Sequence, residues 1–338
     1  MEPVVEPVVE PVAPRPAAPR PVAAEPAAAA RSSAPVRERL GGLTRRQWAA
    51  AAVVAGFALF GFFAAVVLGA RAIAGTDVVE RFLLRYPGEY HLPAWAPVGL
   101  PAWLGWQHFF NGLLILLIIR SGLQVRTERR APAMWASRRQ PGRKVSLTIW
   151  AHQALDVLWL LNGLMFAVLL FATGQWVRIV PTSWEVFPNA LSAALQYATL
   201  DWPSENGWVN YNSLQQLAYF LTVFVAAPLA AVTGVRMSSV WPARWTGLSR
   251  RYPVGVARAL HLPTMLYFVG FIVVHVGLVL ATGALRNLNH VYAAQDGPGW
   301  AGFWFFAASL LVVAGAWVAF RPALLAPVAR LFGTVTRS

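Results

Sequence analysis

The sequence predicts an all-α integral membrane protein with six transmembrane helices. Three observations carry that expectation. Of 338 residues, 57% are hydrophobic and only 12% are charged, too few charges to cover a water-facing surface. Six apolar stretches, near 48–70, 104–122, 147–172, 216–236, 257–282 and 300–320, are long enough to cross about 30 Å of hydrocarbon at about 1.5 Å per residue. The arginines gather in alternate connections, as the positive-inside rule requires of an even number of spans.

Taken in order, residues 1–36 come first, a loose repeat beginning EPVVEPVVEPVAPRPAAPRP. Proline at that density blocks helix and leaves no core-forming pattern, so a disordered or polyproline-like tail is expected. It does not read as a signal peptide, because no apolar segment follows a short basic start. RERLGGLTRRQ precedes the first span, RTERRAPAMWASRRQPGRK joins the second to the third, and RMSSVWPARWTGLSRRYPVGVAR joins the fourth to the fifth. Arg321, Arg330 and Arg337 follow the sixth. The remaining connections hold the acids Asp77, Glu80, Glu89, Glu185, Asp201, Glu205 and Asp296. Both termini are therefore expected in the cytoplasm. The long outer connection 173–215 carries Trp176, Trp184, Trp202 and Trp208, either an interfacial aromatic belt or a docking surface for an external partner.

The net charge is +14. Because the arginines flank apolar runs, the charge reads as membrane topology and no nucleic-acid partner is expected. There is no cysteine, which excludes disulfides, iron–sulfur clusters and thiolate-bound zinc within the chain. The bias toward Ala, Arg, Pro and Val suggests a GC-rich bacterial genome, hence the bacterial plasma membrane.

Six histidines are present. His91 and His290 fall in outer connections and receive no role. His108, His152, His261 and His275 lie in or at the ends of spans, where an imidazole is costly unless paired, hydrogen-bonded or metal-bound. Between His261 and His275 a helix turns about 1400°, close to four turns, so both point to nearly one face about 21 Å apart. The charge topology puts His152 and His261 near the inner boundary and His108 and His275 near the outer one. Two pairs at two depths result. Paired imidazoles without cysteine or clustered carboxylates suit six-coordinate haem iron; zinc or copper would want a third ligand. Gly112, one turn beyond His108, and Gly163, about three turns beyond His152, would leave room for a flat porphyrin. The alternative for these glycines is ordinary close helix packing.

At this point the chain resembles a family. HLPTMLYFVGFIVVH, with VGLVLATG after it, resembles the two-ligand helix of bacterial di-haem b-type cytochrome subunits, the membrane subunits of formate dehydrogenases and nickel–iron hydrogenases. HFFNGLLILLIIRSG resembles that family's first ligand helix and WAHQALDVLWLLNGLMFAVL its second. The likeness covers about residues 104–283. It implies a four-helix haem-binding bundle, two b haems, quinone chemistry at one face, and a catalytic oxidoreductase partner with or without an iron–sulfur subunit. In formate dehydrogenase subunits the first ligand helix starts at the cytoplasmic side. Here a helix precedes it and the charges put His108 outside, so the core is inverted. That leaves open which haem receives electrons.

The expected organisation is a tail at 1–36, an added helix and outer loop at 37–103, the di-haem core at 104–283, and a last helix with its tail at 284–338. Asp156, one turn after His152, would relay protons to quinone or orient His152, or else sit at a helix end among headgroups. Arg258 would pair with a haem propionate, or serve as an ordinary inside cation. Gln107, Asn111 and Asn162 are candidate hydrogen-bonding partners of menaquinone or ubiquinone, and Pro263 would aim His261. The expected function is electron transfer between a partner oxidoreductase of molybdoenzyme or hydrogenase type and the quinone pool, with substrate catalysis on another chain. A stand-alone haem reductase anchoring a periplasmic molybdoenzyme shares the haems and differs in partner. A transporter or assembly protein relaying protons through its histidines is the alternative of another class; broken helices and a midplane site would mark it.

Overall fold

A computed structural model describes residues 44–202 and 206–337; the tail at 1–36 and Glu205 lie outside the described residues. The helices are α1 (Arg45–Ala74), α2 (Asp77–Arg85), α3 (Ala102–Thr127), α4 (Leu147–Ala172), α5 (Val186–Thr199), α6 (Ser213–Met237), α7 (Thr246–Arg251), α8 (Val254–Ala281), α9 (Ala284–Leu288), α10 (Trp300–Ala319) and α11 (Pro322–Phe332). Three short strands join them: β1 (Ala133–Ser137), β2 (Lys144–Ser146) and β3 (Gly333–Arg337). Six of the helices, α1, α3, α4, α6, α8 and α10, are long and apolar enough to cross a membrane. The chain is a multi-pass membrane protein, and its spans agree with the sequence expectation to within a turn or so. Large apolar side chains stand exposed along these helices, Val54, Leu164, Val273 and Leu311 among them. Lipid is the solvent that makes such faces stable.

The chain divides into residues 1–61 and 62–338. In the first unit the start of α1 is capped: the Thr44 N–H donates to Gln47 Oε1 (2.9 Å), and the Gln47 N–H donates back to Thr44 Oγ1 (3.4 Å). This is a reciprocal cap of orphan helix donors. In the second unit, Ser146 Oγ accepts from the Ile149 N–H (3.1 Å) to start α4, and Asn212 with Gln215 forms the same kind of box for α6. The α6 backbone relaxes to π geometry over Leu221–Ala226, just before Pro228, which has no N–H to continue the ladder. By contrast α8 stays α-helical through Pro263.

Sequence neighbours pair: α3 lies along α4, and α6 along α8. Between these two pairs close backbone approach is sparse among the described residues. The connections sort to two ends. At one end the α3–α4 connection folds as a sheet with the C-terminal segment, in the antiparallel order β2-β1-β3. The Trp135 indole donates to the Ala329 carbonyl (3.0 Å), and Ser239 Oγ donates to Gln153 Oε1 (2.8 Å), tying in the α6–α8 connection. This is the basic end. At the other end Gly99 N–H donates to Trp208 O (2.8 Å), Gly88 N–H to Asn189 Oδ1 (3.0 Å) and Arg71 Nε to Thr199 O (2.9 Å). These bonds gather two connections into a cap that includes α5, and a ring contact of Trp208 with His290 (5.4 Å) brings in a third.

The sheet and α5 are additions to the expected picture. The strands are at most five residues long, and β3 finds its partner about 200 residues away, so no local pattern announces it.

A glycine contact fixes the α9 segment. A Cβ on Gly302 would collide with the backbone of Leu288 and Asn289, and the Gly302 N–H donates to Asn289 Oδ1 (3.2 Å). Gly302→Ala is therefore expected to cost about 1–3 kcal/mol through overpacking. Thermal unfolding in detergent, with Gly315→Ala as a control in open space, reads the difference.

Candidate functional site: two histidine pairs across a cleft

The four histidines of the spans come one from α3, one from α4 and two from α8. They reach across the sparse boundary between the two helix pairs. At the basic end, His152 of α4 and His261 of α8 lie within electrostatic reach of each other. Each is held from behind by a hydroxyl on the helix packed against it. Ser121 Oγ lies 2.7 Å from His152 Nδ1, and Thr233 Oγ1 lies 2.8 Å from His261 Nδ1. Both hydroxyl residues are fully buried. The next residue is glycine in both cases. A Cβ on Gly122 would press on the imidazole, at 3.3 Å from His152 Cε1, whereas one on Gly234 would make an ordinary contact, 3.6 Å from His261 Cε1. Asp156 Oδ2 stands 3.8 Å from His152 Nε2, too far for a hydrogen bond.

About four turns along α8, the second pair has different surroundings. The rings of His108 and His275 have centroids 6.1 Å apart at 51°. His275 stacks on Phe271 (5.4 Å, 5°) and meets the edge of Tyr219 (6.0 Å). His108 stands edge-on to Tyr292 (5.8 Å). Among the described residues neither ring makes a hydrogen bond.

The cleft has room beside these rings. His108 is exposed although its ring faces His275 and Tyr292. Cβ atoms on Gly112 and Gly163 would find nothing within 4 Å. Two imidazole nitrogens each about 2 Å from one ion put the ring centroids about 6 Å apart, and the 6.1 Å spacing of His108 and His275 fits that. Among the described residues no three His, Asp or Glu side chains are grouped to hold a metal; each pair offers two imidazoles. His108 and His275 thus fit a group that brings its own equatorial ligands, as haem does.

The other candidates disperse. Gln107 and Asn162 are buried, with Gln107 Oε1 and Asn162 Nδ2 lacking partners, whereas Asn111 is half-buried and Arg258 exposed. Sequence reasoning passed over Ser121, Gly122, Thr233 and Gly234. The signal was present: a hydroxyl residue followed by glycine, in RSG and again in VTG.

His290 also acquires a setting. It is buried in the cap, with Nε2 2.9 Å from Asp296 Oδ1, its ring against Trp208 (5.4 Å), and Arg286 3.5 Å from the same carboxylate. Burial, opposed by Asp296 and helped by the positive charges of Arg286 and Arg178, holds its pKa below the usual histidine value. For Asp296 burial acts upward. Donors from His290, the Gly297 N–H and Asn206 outweigh it and keep the carboxyl below its ordinary range. Both groups therefore favour the folded cap above the ordinary histidine value, near 6.5, and lose that contribution as the pH falls. His91 is exposed. Of the connection's tryptophans, Trp208 packs inside the cap, whereas Trp184 is 84% exposed.

Comparison of the chain with protein families, with curated proteins and with solved structures returned no match.

Proposed function

We propose that the chain is a di-haem b-type cytochrome subunit of a bacterial plasma-membrane respiratory complex, with both termini cytoplasmic. One observation carries the reading: His108 faces His275 with ring centroids 6.1 Å apart, and His152 and His261 lie within electrostatic reach of each other about four turns away along α8. His108 and His275 would hold one haem, and His152 and His261 the other. Gly112 and Gly163 keep the cleft wide enough, and Arg258 supplies a cation near His261 for a propionate. The haems would supply one-electron transfer between a catalytic oxidoreductase partner, with or without an iron–sulfur subunit, and menaquinone or ubiquinone. Asp156 is the ionisable side chain beside His152 that would take up or release a proton at the basic end. The partner would bring the substrate chemistry.

The purified protein tests this. A reduced b-type absorbance with about two haems per chain is the expected result; a colourless preparation sinks the reading. One contact favours a second reading. Asp156 lies 3.8 Å from His152 Nε2 and within electrostatic reach of His261, an arrangement that would relay protons in a haem-free transporter or assembly protein. Colourless protein whose proton uptake is lost in Asp156→Asn would support it.

A further inference from the structure

The two histidine pairs differ in what stands behind the rings, and that difference has chemical consequences. At the basic end each imidazole has a buried hydroxyl on Nδ1, Ser121 for His152 and Thr233 for His261. A hydroxyl has one proton to give. Ser121 Oγ has the Ile118 carbonyl as its acceptor at 3.0 Å. Thr233 Oγ1 has those of Leu229 and Ala230 at 2.7 and 3.0 Å. With its proton committed to its own helix, each hydroxyl presents a lone pair to the ring. The ring must then carry its proton on Nδ1. The opposite tautomer would put a proton on Nε2, which has no acceptor within hydrogen-bonding distance on either ring among the described residues. A stranded donor in an apolar interior is the costly choice.

We infer that Ser121 and Thr233 are positioning residues that lock His152 and His261 as Nδ1–H tautomers with bare Nε2 lone pairs, making the basic-end site the lower-potential of the two. The first half stands on hydrogen-bond geometry alone; the second rests on the haem reading. An imidazole that donates from Nδ1 to an acceptor is the more electron-rich ligand. Such a ligand stabilises ferric over ferrous iron and lowers the potential. His108 and His275 are backed by Tyr292, Phe271 and Tyr219 rings and have no such acceptor among the described residues. The arrangement is matched on the two helix pairs: hydroxyl, then glycine, against one imidazole, on α3 for α4 and on α6 for α8. Gly122 lets the His152 ring seat close against the neighbouring backbone, where a Cβ would stand 3.3 Å from Cε1.

Two measurements on the full chain test it. Nitrogen-15 spectra of histidine-labelled protein, reduced so that any iron is diamagnetic, should show His152 and His261 protonated at Nδ1. Ser121→Ala and Thr233→Ala should each remove one such hydrogen-bonded signal. Ser121→Thr and Thr233→Ser should keep them, which separates positioning from a mere folding effect. Protons on Nε2 of these two rings overturn the inference whatever the colour of the protein. In the redox titration, each alanine variant should raise the lower of two midpoint potentials and leave the upper one in place. A moved upper potential, or two unmoved ones, overturns the ordering. A colourless chain with Nδ1–H rings overturns the haem reading and with it the ordering, but leaves the tautomer assignment standing.

Discussion

His261→Ala is expected to halve the haem bound per chain, and His152→Ala to remove the same haem. His108→Ala and His275→Ala should each remove the other. The expectation follows from placement. His108 and His275 have ring centroids 6.1 Å apart, whereas His261 is coupled electrostatically to His152 and Asp156. About 21 Å of helix, fourteen residues at about 1.5 Å each, separates the two depths on α8. On the proposed haem reading, an alanine at either depth would take away one of two axial nitrogens and leave the other pair intact. Haem content per chain, read from the pyridine complex, and the two redox transitions measure the result. If His261→Ala and His108→Ala removed the same haem, the pairing would be wrong.

Arg178→Met is expected to destabilise the cap by about 3–5 kcal/mol, because charge-assisted hydrogen bonds contribute about 1.5–3 kcal/mol each and a buried acceptor left unpaired is penalised. Arg178 is 1% exposed. It donates to the Gly99 and Trp208 carbonyls, at 3.1 and 3.0 Å, and to the Gly207 carbonyl, and it lies 4.7 Å over the Tyr211 ring. After truncation the Gly99 carbonyl keeps Gln175 and the Trp208 carbonyl keeps the Gly99 N–H. The Gly207 carbonyl loses the guanidinium outright. Methionine preserves most of the apolar stem, so the loss isolates the guanidinium. Unfolding temperature in detergent and proteolysis of the 173–212 connection should both report it, with Arg178→Lys falling between.

Much of this architecture was legible in the amino-acid order. The six spans are local sums of hydropathy, and α4 and α10 began where the apolar runs begin. The alternation of basic and acidic connections foretold which loops share an end: the bonds of Ser239 to Gln153 and of Trp135 to Ala329 gather the basic ones. The His261 and His275 spacing needed only helix rise and turn. Other features were hidden. The cap is built from segments more than 70 residues apart, as when Gln175 donates to Gly99, and Arg178 looked like one more charge in a loop. β3 has no partner nearby in sequence. His290, given no role, turned out buried against Asp296.

By itself, then, the sequence determined the number of spans, the ends at which their connections gather, and the position of each histidine along its helix, because apolar length, charge and helical rise are additive along a chain. Only the tertiary structure decided that Ser121 would stand behind His152 and Thr233 behind His261. Those contacts depend on how far each helix is rotated about its axis and slid along its neighbour. Rotation and register are set by side-chain packing between helices, which no single helix's sequence encodes.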